Sequence, residues 1–312
     1  MPSMLLEDQI ARNKRQTVYV VVLMFLIMTA MVYAIAVIAR FFWFGGSLPL
    51  GFAAVIAVFA AALYILVTYN MSVAEVIRAT EARPVNMKVR EEKLLAYKVE
   101  ELSIAAGLSK PPKVYVQESK DINAFAAGKK VEEAIICVST GAMAQLNGEE
   151  MEGVLAHELS HILNRDVLLA TVTVGVVGAI ALMAEILVRM AFYGSLTGRG
   201  GRGGKGGAGQ IVIVLVAIFF AILAPLFARM TYLAMSRKRE YLADSSGAYL
   251  TRNPGGLASA LRKIQGDLPD DPKGSKTAAS LYIANPWKRA LKDNLWSTHP
   301  PLEERIRRLE RR

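Results

Sequence analysis

The chain has 312 residues, 53% of them hydrophobic, and a formal net charge of +10 at neutral pH. That length suits one or two domains, and so high an apolar fraction points to a chain partly committed to lipid. Cys137 is the single cysteine, which excludes an intramolecular disulfide and a thiolate metal cluster; it reads as a small buried residue in a β-like run from 134 to 138.

The basic residues gather beside apolar stretches and at the C-terminus without interleaved aromatics. They suit an anionic membrane surface, and no nucleic-acid partner is expected. Thr17 to Ala39 and Leu48 to Thr68 each carry about 20 uncharged residues, enough to cross about 30 Å of hydrocarbon as helices. The first is too long for a removable signal peptide, lacks a small-residue cleavage site, and reads as an anchor. Arg12, Lys14 and Arg15 precede it, only Arg40 follows it, and Arg78, Arg83, Lys88 and Arg90 follow the second span. Basic residues favour the cytoplasmic side, so the N-terminus and the region from 70 to 166 are both placed there.

From Val89 to Ala106, Leu94, Leu95, Tyr97, Val99, Leu102 and Ile104 alternate with charges and predict an amphipathic helix ended by Gly107. Pro111-Pro112 then breaks the chain. Val114 to Val116, Asn123 to Ala126 and Ala134 to Val138 read as strands, the last two joined through Gly128-Lys129-Lys130, and Ser139 to Gln145 begins a short helix. Asn147, with Glu150 three residues on, matches a capping box, and Glu149 and Glu150 suit the positive end of a helix dipole. Leu155, Leu159 and Ile162 give that helix a core-facing stripe.

The same helix carries His157-Glu158-Leu159-Ser160-His161, and the whole chain holds only three histidines. Positions i and i+4 share a helix face, so both imidazoles reach one Zn²⁺ while Glu158 projects beside them. A catalytic zinc takes three protein ligands, so a third must come from elsewhere. Glu240 and Asp244 are again four apart, which lets a ligand and a supporting carboxylate address the site together. Glu185, at the edge of an apolar stretch, is the competing acid, and His299 is the remaining histidine. Asp166, close behind His161, is a second candidate to support the ligands. In such a site Glu158 takes a proton from water and returns it to the leaving amine. His299 or Tyr241 supplies an oxyanion donor; His299 reads equally well as a packed residue beside Pro300-Pro301.

Two more apolar segments run from Val167 to Val188 and from Ile211 to Met235. If His157 and Glu240 share one site, the chain between them crosses the membrane an even number of times. Two crossings put Arg189, Arg199, Arg202 and Lys205 outside, against the positive-inside tendency; a hairpin that only dips into the bilayer avoids the conflict. The run from Gly198 to Gly207 reads as a flexible linker, too short a tract to favour RNA binding. Only residues 162 to 166 separate His161 from the third segment, a rise of under about 10 Å if helical, so the zinc is expected beside the lipid bilayer.

Together the His-Glu-x-x-His helix, Glu240-x-x-x-Asp244, Asn123-Ala124-Phe125-Ala126 and Ser297-Thr298-His299-Pro300-Pro301 resemble the HtpX family of membrane zinc metalloproteases, themselves similar to the CAAX prenyl proteases. The similarity runs from the paired anchors to Leu302-Glu303-Glu304-Arg305. It implies one Zn²⁺ per chain on His157, His161 and Glu240, with Glu158 as general base and acid and Asp244 orienting a histidine. It also implies that Asn123, Ala124, Phe125 and Ala126 form an exposed, thermolysin-like edge strand that an extended substrate joins by backbone hydrogen bonds; the alternative is a core strand with Phe125 buried. The setting implied is the prokaryotic plasma membrane, multi-pass, with the site facing the cytoplasm. There, misfolded or damaged membrane proteins and unfolded polypeptides are degraded under heat or envelope stress.

The expected architecture is an α+β membrane protein, mainly α-helical, with a zincin domain containing a small β-sheet. Two anchors occupy 1–69, a cytoplasmic zincin region 70–166, a hydrophobic hairpin 167–235, and a cytoplasmic region with the third ligand 236–312. An intramembrane zinc protease fits less well, because Arg165-Asp166 follows the motif and no span offers an aspartate. A zinc transporter is disfavoured because the spans hold no histidine, and an inactive scaffold leaves Glu158 without a role.

Overall fold

The structure, a computed structural model, describes residues 2–42, 47–165, 167–168, 170–172, 185, 189, 215–216, 218–219, 237–266, 282–283 and 300–311. Most of the predicted segments 167–188 and 211–235, the linker 198–207, Asp166 and His299 lie outside the described residues. The chain divides into two compact units, each discontinuous in sequence. One is Met1–Gln16, Met71–Val174 and Thr231–Arg312; the other is Thr17–Asn70 and Gly175–Met230.

The second unit holds most of helices α1 (Pro2–Phe42) and α2 (Leu50–Ala79). Val18–Val37 and Leu50–Ala79 are long and apolar enough to cross a membrane, with mean hydropathy 2.8 and 2.7. Val22, Leu26, Phe52, Val55, Phe59 and Leu63 stand exposed, a surface that water would penalise and lipid would not. Each helix nevertheless buries one stripe: Met24, Met28 and Met31 on α1, and Ala53, Ala57 and Ala61 on α2. Small residues every fourth position let another backbone approach closely, the usual solution where lipid supplies no hydrophobic drive.

The first unit is built on a four-stranded sheet. Its strands are β1 (Arg83–Pro84), β2 (Lys113–Gln117), β3 (Ala124–Ala127) and β4 (Ile135–Ser139), in the order β1-β2-β4-β3. β2 and β4 pair parallel, while β3 joins β4 antiparallel and β1 joins β2 antiparallel. The three predicted strands therefore sit within a residue or so of their expected ends. Helix α3 (Arg90–Ala105) connects β1 to β2 and buries Leu95, Val99 and Leu102, one helical stripe. Gly107 ends it at φ 73, where Gly107 N donates to Ile104 O and Leu108 N to Ser103 O. That left-handed closure is one glycine adopts without steric cost.

Helix α4 (Thr140–Gln145) leads into α5 (Gly148–Leu163), and α6 (Arg237–Thr251), α7 (Pro254–Gly266) and α8 (Leu302–Glu310) follow. The expected capping box is present: Glu150 N donates to Asn147 Oδ1 at 2.9 Å, and Asn147 N to Glu150 Oε2 at 2.8 Å. Leu155, Leu159 and Ile162 are each buried to 1% or less and join a core shared with β3, β4, α7 and α8. Each such side chain contributes about 1.5–3 kcal/mol. At Gly247 of α6 an added Cβ would lie 3.0 Å from His157 N, so the α5 and α6 backbones meet there without an intervening side chain. This contact brings α6 within ligand distance of the α5 histidines.

Candidate metal centre

His157 and His161 rise from α5, and Glu240 comes from the first turn of α6. Their ligand atoms all lie within 4.8 Å of one another. The two histidine Nε2 atoms are 3.2 Å apart. Two nitrogens at about 2.0–2.1 Å from one tetrahedral zinc stand about 3.3 Å apart, so this spacing matches a shared ion. Glu240 completes the trio, with Oε1 at 3.6 Å from His161 Nε2 and Oε2 at 3.8 Å from His157 Nε2. Two imidazoles and one carboxylate make the donor set of a catalytic zinc site, and the residues fit such an ion. Glu185, the competing acid, is exposed and paired with Arg189 at 2.5 Å.

Behind the ligands, Asp244 Oδ1 sits 3.0 Å from His157 Nδ1. A carboxylate there keeps the proton on Nδ1 and leaves the Nε2 lone pair for a metal, as the i, i+4 spacing of Glu240 and Asp244 predicts. Sequence reasoning missed Arg305. Its side chain is fully buried, donating Nε to Asp244 Oδ2 at 2.9 Å and Nη2 to Oδ1 at 2.7 Å, while Nη1 lies 3.5 Å from Glu240 Oε2. Nη2 is also 3.4 Å from His157 Nδ1 and 3.3 Å from Nε2. The spacing of Leu302, Ile306 and Leu309 marks an apolar face on a highly charged helix, but it does not show that Arg305 is buried with it.

Burial raises the Asp244 carboxyl, but Arg305 and His157 outweigh it and hold the group below the ordinary carboxylate range. Burial lowers the His157 imidazole, and the Arg305 charge adds to this against Asp244, which keeps the ring neutral. Arg305 is itself penalised by burial, yet Asp244, Glu240 and Glu158 hold its proton more firmly than usual. Glu158 is 3% exposed, and burial raises its carboxyl to about 8; Glu240 adds to the shift, while His161, Arg305 and the Ala126 N–H oppose it. Tyr241 carries the Arg308 guanidinium on its ring, 3.7 Å from the centroid.

β3 is an outer strand, as expected, but it is not exposed: Ala124, Phe125 and Ala126 are all at most 4% accessible. Phe125 packs against Tyr282 and Ile283 N donates to Ala124 O at 3.1 Å, so any substrate role falls to the strand's backbone and not to the Phe125 side chain. Asn123 is buried, and its Oδ1 has no hydrogen-bond partner among the described residues.

The chain is also similar to known proteins. Residues 90–312 match the model of peptidase family M48. "Protease HtpX homolog" of Listeria monocytogenes serotype 4a (strain HCC23) is 40% identical over 311 residues, covering 98% of this chain and 99% of that protein. The protein of the same name from Thermoanaerobacter pseudethanolicus is 41% identical over 248 residues, covering 80% and 81%. The crystal structure of S. mikatae Ste24p aligns with a TM-score of 0.45 at 16% identity, covering 92% of this chain and 63% of that one. With its two apolar helices and its His-His-Glu cluster, the chain belongs to peptidase family M48 and is a membrane-bound metalloprotease.

Proposed function

We propose that the chain is a zinc-dependent endopeptidase of the plasma membrane, acting on misfolded or damaged membrane proteins from the cytoplasmic side. The observation that carries this reading is the convergence of His157, His161 and Glu240 beside Glu158. His157, His161 and Glu240 would hold the zinc, which would supply Lewis acidity toward a water molecule and the scissile carbonyl. Glu158 takes a proton from the attacking water and returns it to the leaving amine, and the Ala126 N–H bonds its carboxylate. Asp244 and Arg305 hold His157 in the ligating tautomer.

The unpaired Asn123 Oδ1 supports a substrate contact beside β3. The cytoplasmic orientation is supported by the basic residues flanking the spans, and the membrane substrate class by the five residues between His161 and the third apolar stretch. Asp166 as a supporting carboxylate and His299 as an oxyanion donor enter this reading on sequence alone.

The test is cleavage of an unfolded reporter by the purified full chain in detergent. A chelator is expected to stop cleavage and zinc to restore it. Glu240→Ala should lose bound metal whereas Glu185→Ala should keep it. Cleavage indifferent to chelation would sink the reading. Single cysteines placed between 198 and 210 and labelled from outside intact cells would test the orientation.

A further inference from the structure

β3 pairs with β4 through one set of its backbone groups. Ser139 N donates to Asn123 O, and the antiparallel register then turns Asn123, Phe125 and Ala127 toward β4. Alternation along the strand leaves the backbone groups of Ala124 and Ala126 facing outward, where an added strand would pair. Of these, the Ala126 N–H is held by Glu158. The Ala124 carbonyl is taken by Ile283 N at 3.1 Å.

Ile283 is engaged on its other side as well. Its carbonyl accepts a bond from Arg305 Nη1 at 3.2 Å, and that guanidinium also grips Asp244 and lies 3.3 Å from His157 Nε2. Tyr282 packs its ring on Phe125 at 5.8 Å between centroids, and its hydroxyl accepts from Gln117 Nε2 at 3.4 Å. Both residues are at most 3% exposed. A single residue thus gives its N–H to the edge strand and its C=O to the arginine behind the ligands. The first of these bonds is one that an extended peptide added beside β3 would make.

We propose that Tyr282–Ile283 is an internal stand-in for substrate, occupying one backbone-pairing position of the cleft, and that a bound peptide gains the Ala124 carbonyl by displacing it. The inference rests on the protease reading above and adds a built-in competitor to it. Substrates that pair only weakly with β3 are excluded, while unfolded segments long enough to pair at several positions enter.

Ile283→Pro tests this, because it removes the N–H that bonds Ala124 and keeps the carbonyl. In the zinc-loaded full chain, KM for an extended peptide is expected to fall about threefold to tenfold, the worth of one net hydrogen bond, with kcat changing less. In a Glu158→Gln background, which holds peptide without consuming it, fluorescence anisotropy should show the same gain in affinity. A KM and affinity that are unchanged or worse would overturn the proposal. Should Ile283→Pro fail to fold, the synthetic peptide Ser-Leu-Tyr-Ile-Ala-Asn, matching residues 280–285, decides the matter with the unaltered enzyme. Competitive inhibition that disappears when its isoleucine is replaced by proline supports the stand-in; no inhibition, or inhibition by both, rejects it. Active wild-type enzyme with either negative result defeats this inference alone, whereas inactive wild type defeats the protease reading with it.

Discussion

Glu150 and Glu158 stand about two turns apart on α5 and are nearly equally buried, at 2% and 3% exposure, yet their surroundings drive their protons in opposite directions. For Glu150, burial favours the neutral form, but Lys263 at 2.7 Å, the Asn147 N–H and the Ser259 hydroxyl at 2.7 Å hold the carboxyl below its ordinary range. For Glu158, burial prevails and raises the carboxyl to about 8. Burial alone therefore does not separate a structural carboxylate from a chemical one. The difference lies in whether the partners satisfy the charge completely. Glu150 fastens α7 to the start of α5, whereas Glu158 lies beside His157 and His161 and is bonded by the Ala126 N–H.

The widest separation between the two is expected from Glu158→Gln, which should lower cleavage by about 10²–10⁴-fold while bound zinc, measured by elemental analysis, stays level. Unchanged cleavage would end the contrast. Next comes Arg305→Ala. It strips a buried counter-charge from Asp244 and should cost about 3–5 kcal/mol in denaturant unfolding, with Arg305→Lys in between because lysine keeps the charge and loses the fork. Asp244→Asn is expected to weaken zinc binding about 10–100-fold in a chelator competition, since His157 loses the group that sets its tautomer.

The smallest effect belongs to Glu150→Gln, about 1–3 kcal/mol of stability with activity per folded molecule preserved. Its pH dependence has a definite sign. The folded Glu150 carboxyl titrates below its unfolded value of about 4.3, so its contribution is complete above that pH and is lost as pH falls through the folded value. Thermal melts between about pH 6 and pH 3 should thus drop less steeply for the variant than for the wild type. An equal slope would show that Glu150 is not held by its partners.

Much of this site is legible in the sequence because its signals are local. Asn147 and Glu150 are three apart, His157 and His161 four apart, and Glu240 and Asp244 four apart, each a spacing that one helix turn translates into contact. The strands likewise follow short runs of β-branched and apolar residues. Arg305 is not legible in this way. It sits in Leu302-Glu303-Glu304-Arg305-Ile306-Arg307-Arg308, where every charge looks solvated, and its burial is decided by Asp244, 61 residues distant. Nor does anything near Ile283 announce that its N–H covers the edge of β3. Both depend on tertiary placement that no periodicity encodes, and the expectation of an open edge strand fails for that reason.

The catalytic unit takes its residues from both sides of Gly175–Met230, which belongs to the other unit. Translation runs from the N-terminus, so the imidazole pair emerges well before the carboxylate that completes the trio, and Arg305 later still. On the function proposed above, a half-made chain on the ribosome is unarmed: the order of manufacture delays the first cut until the apolar stretches between His161 and Glu240 have been made.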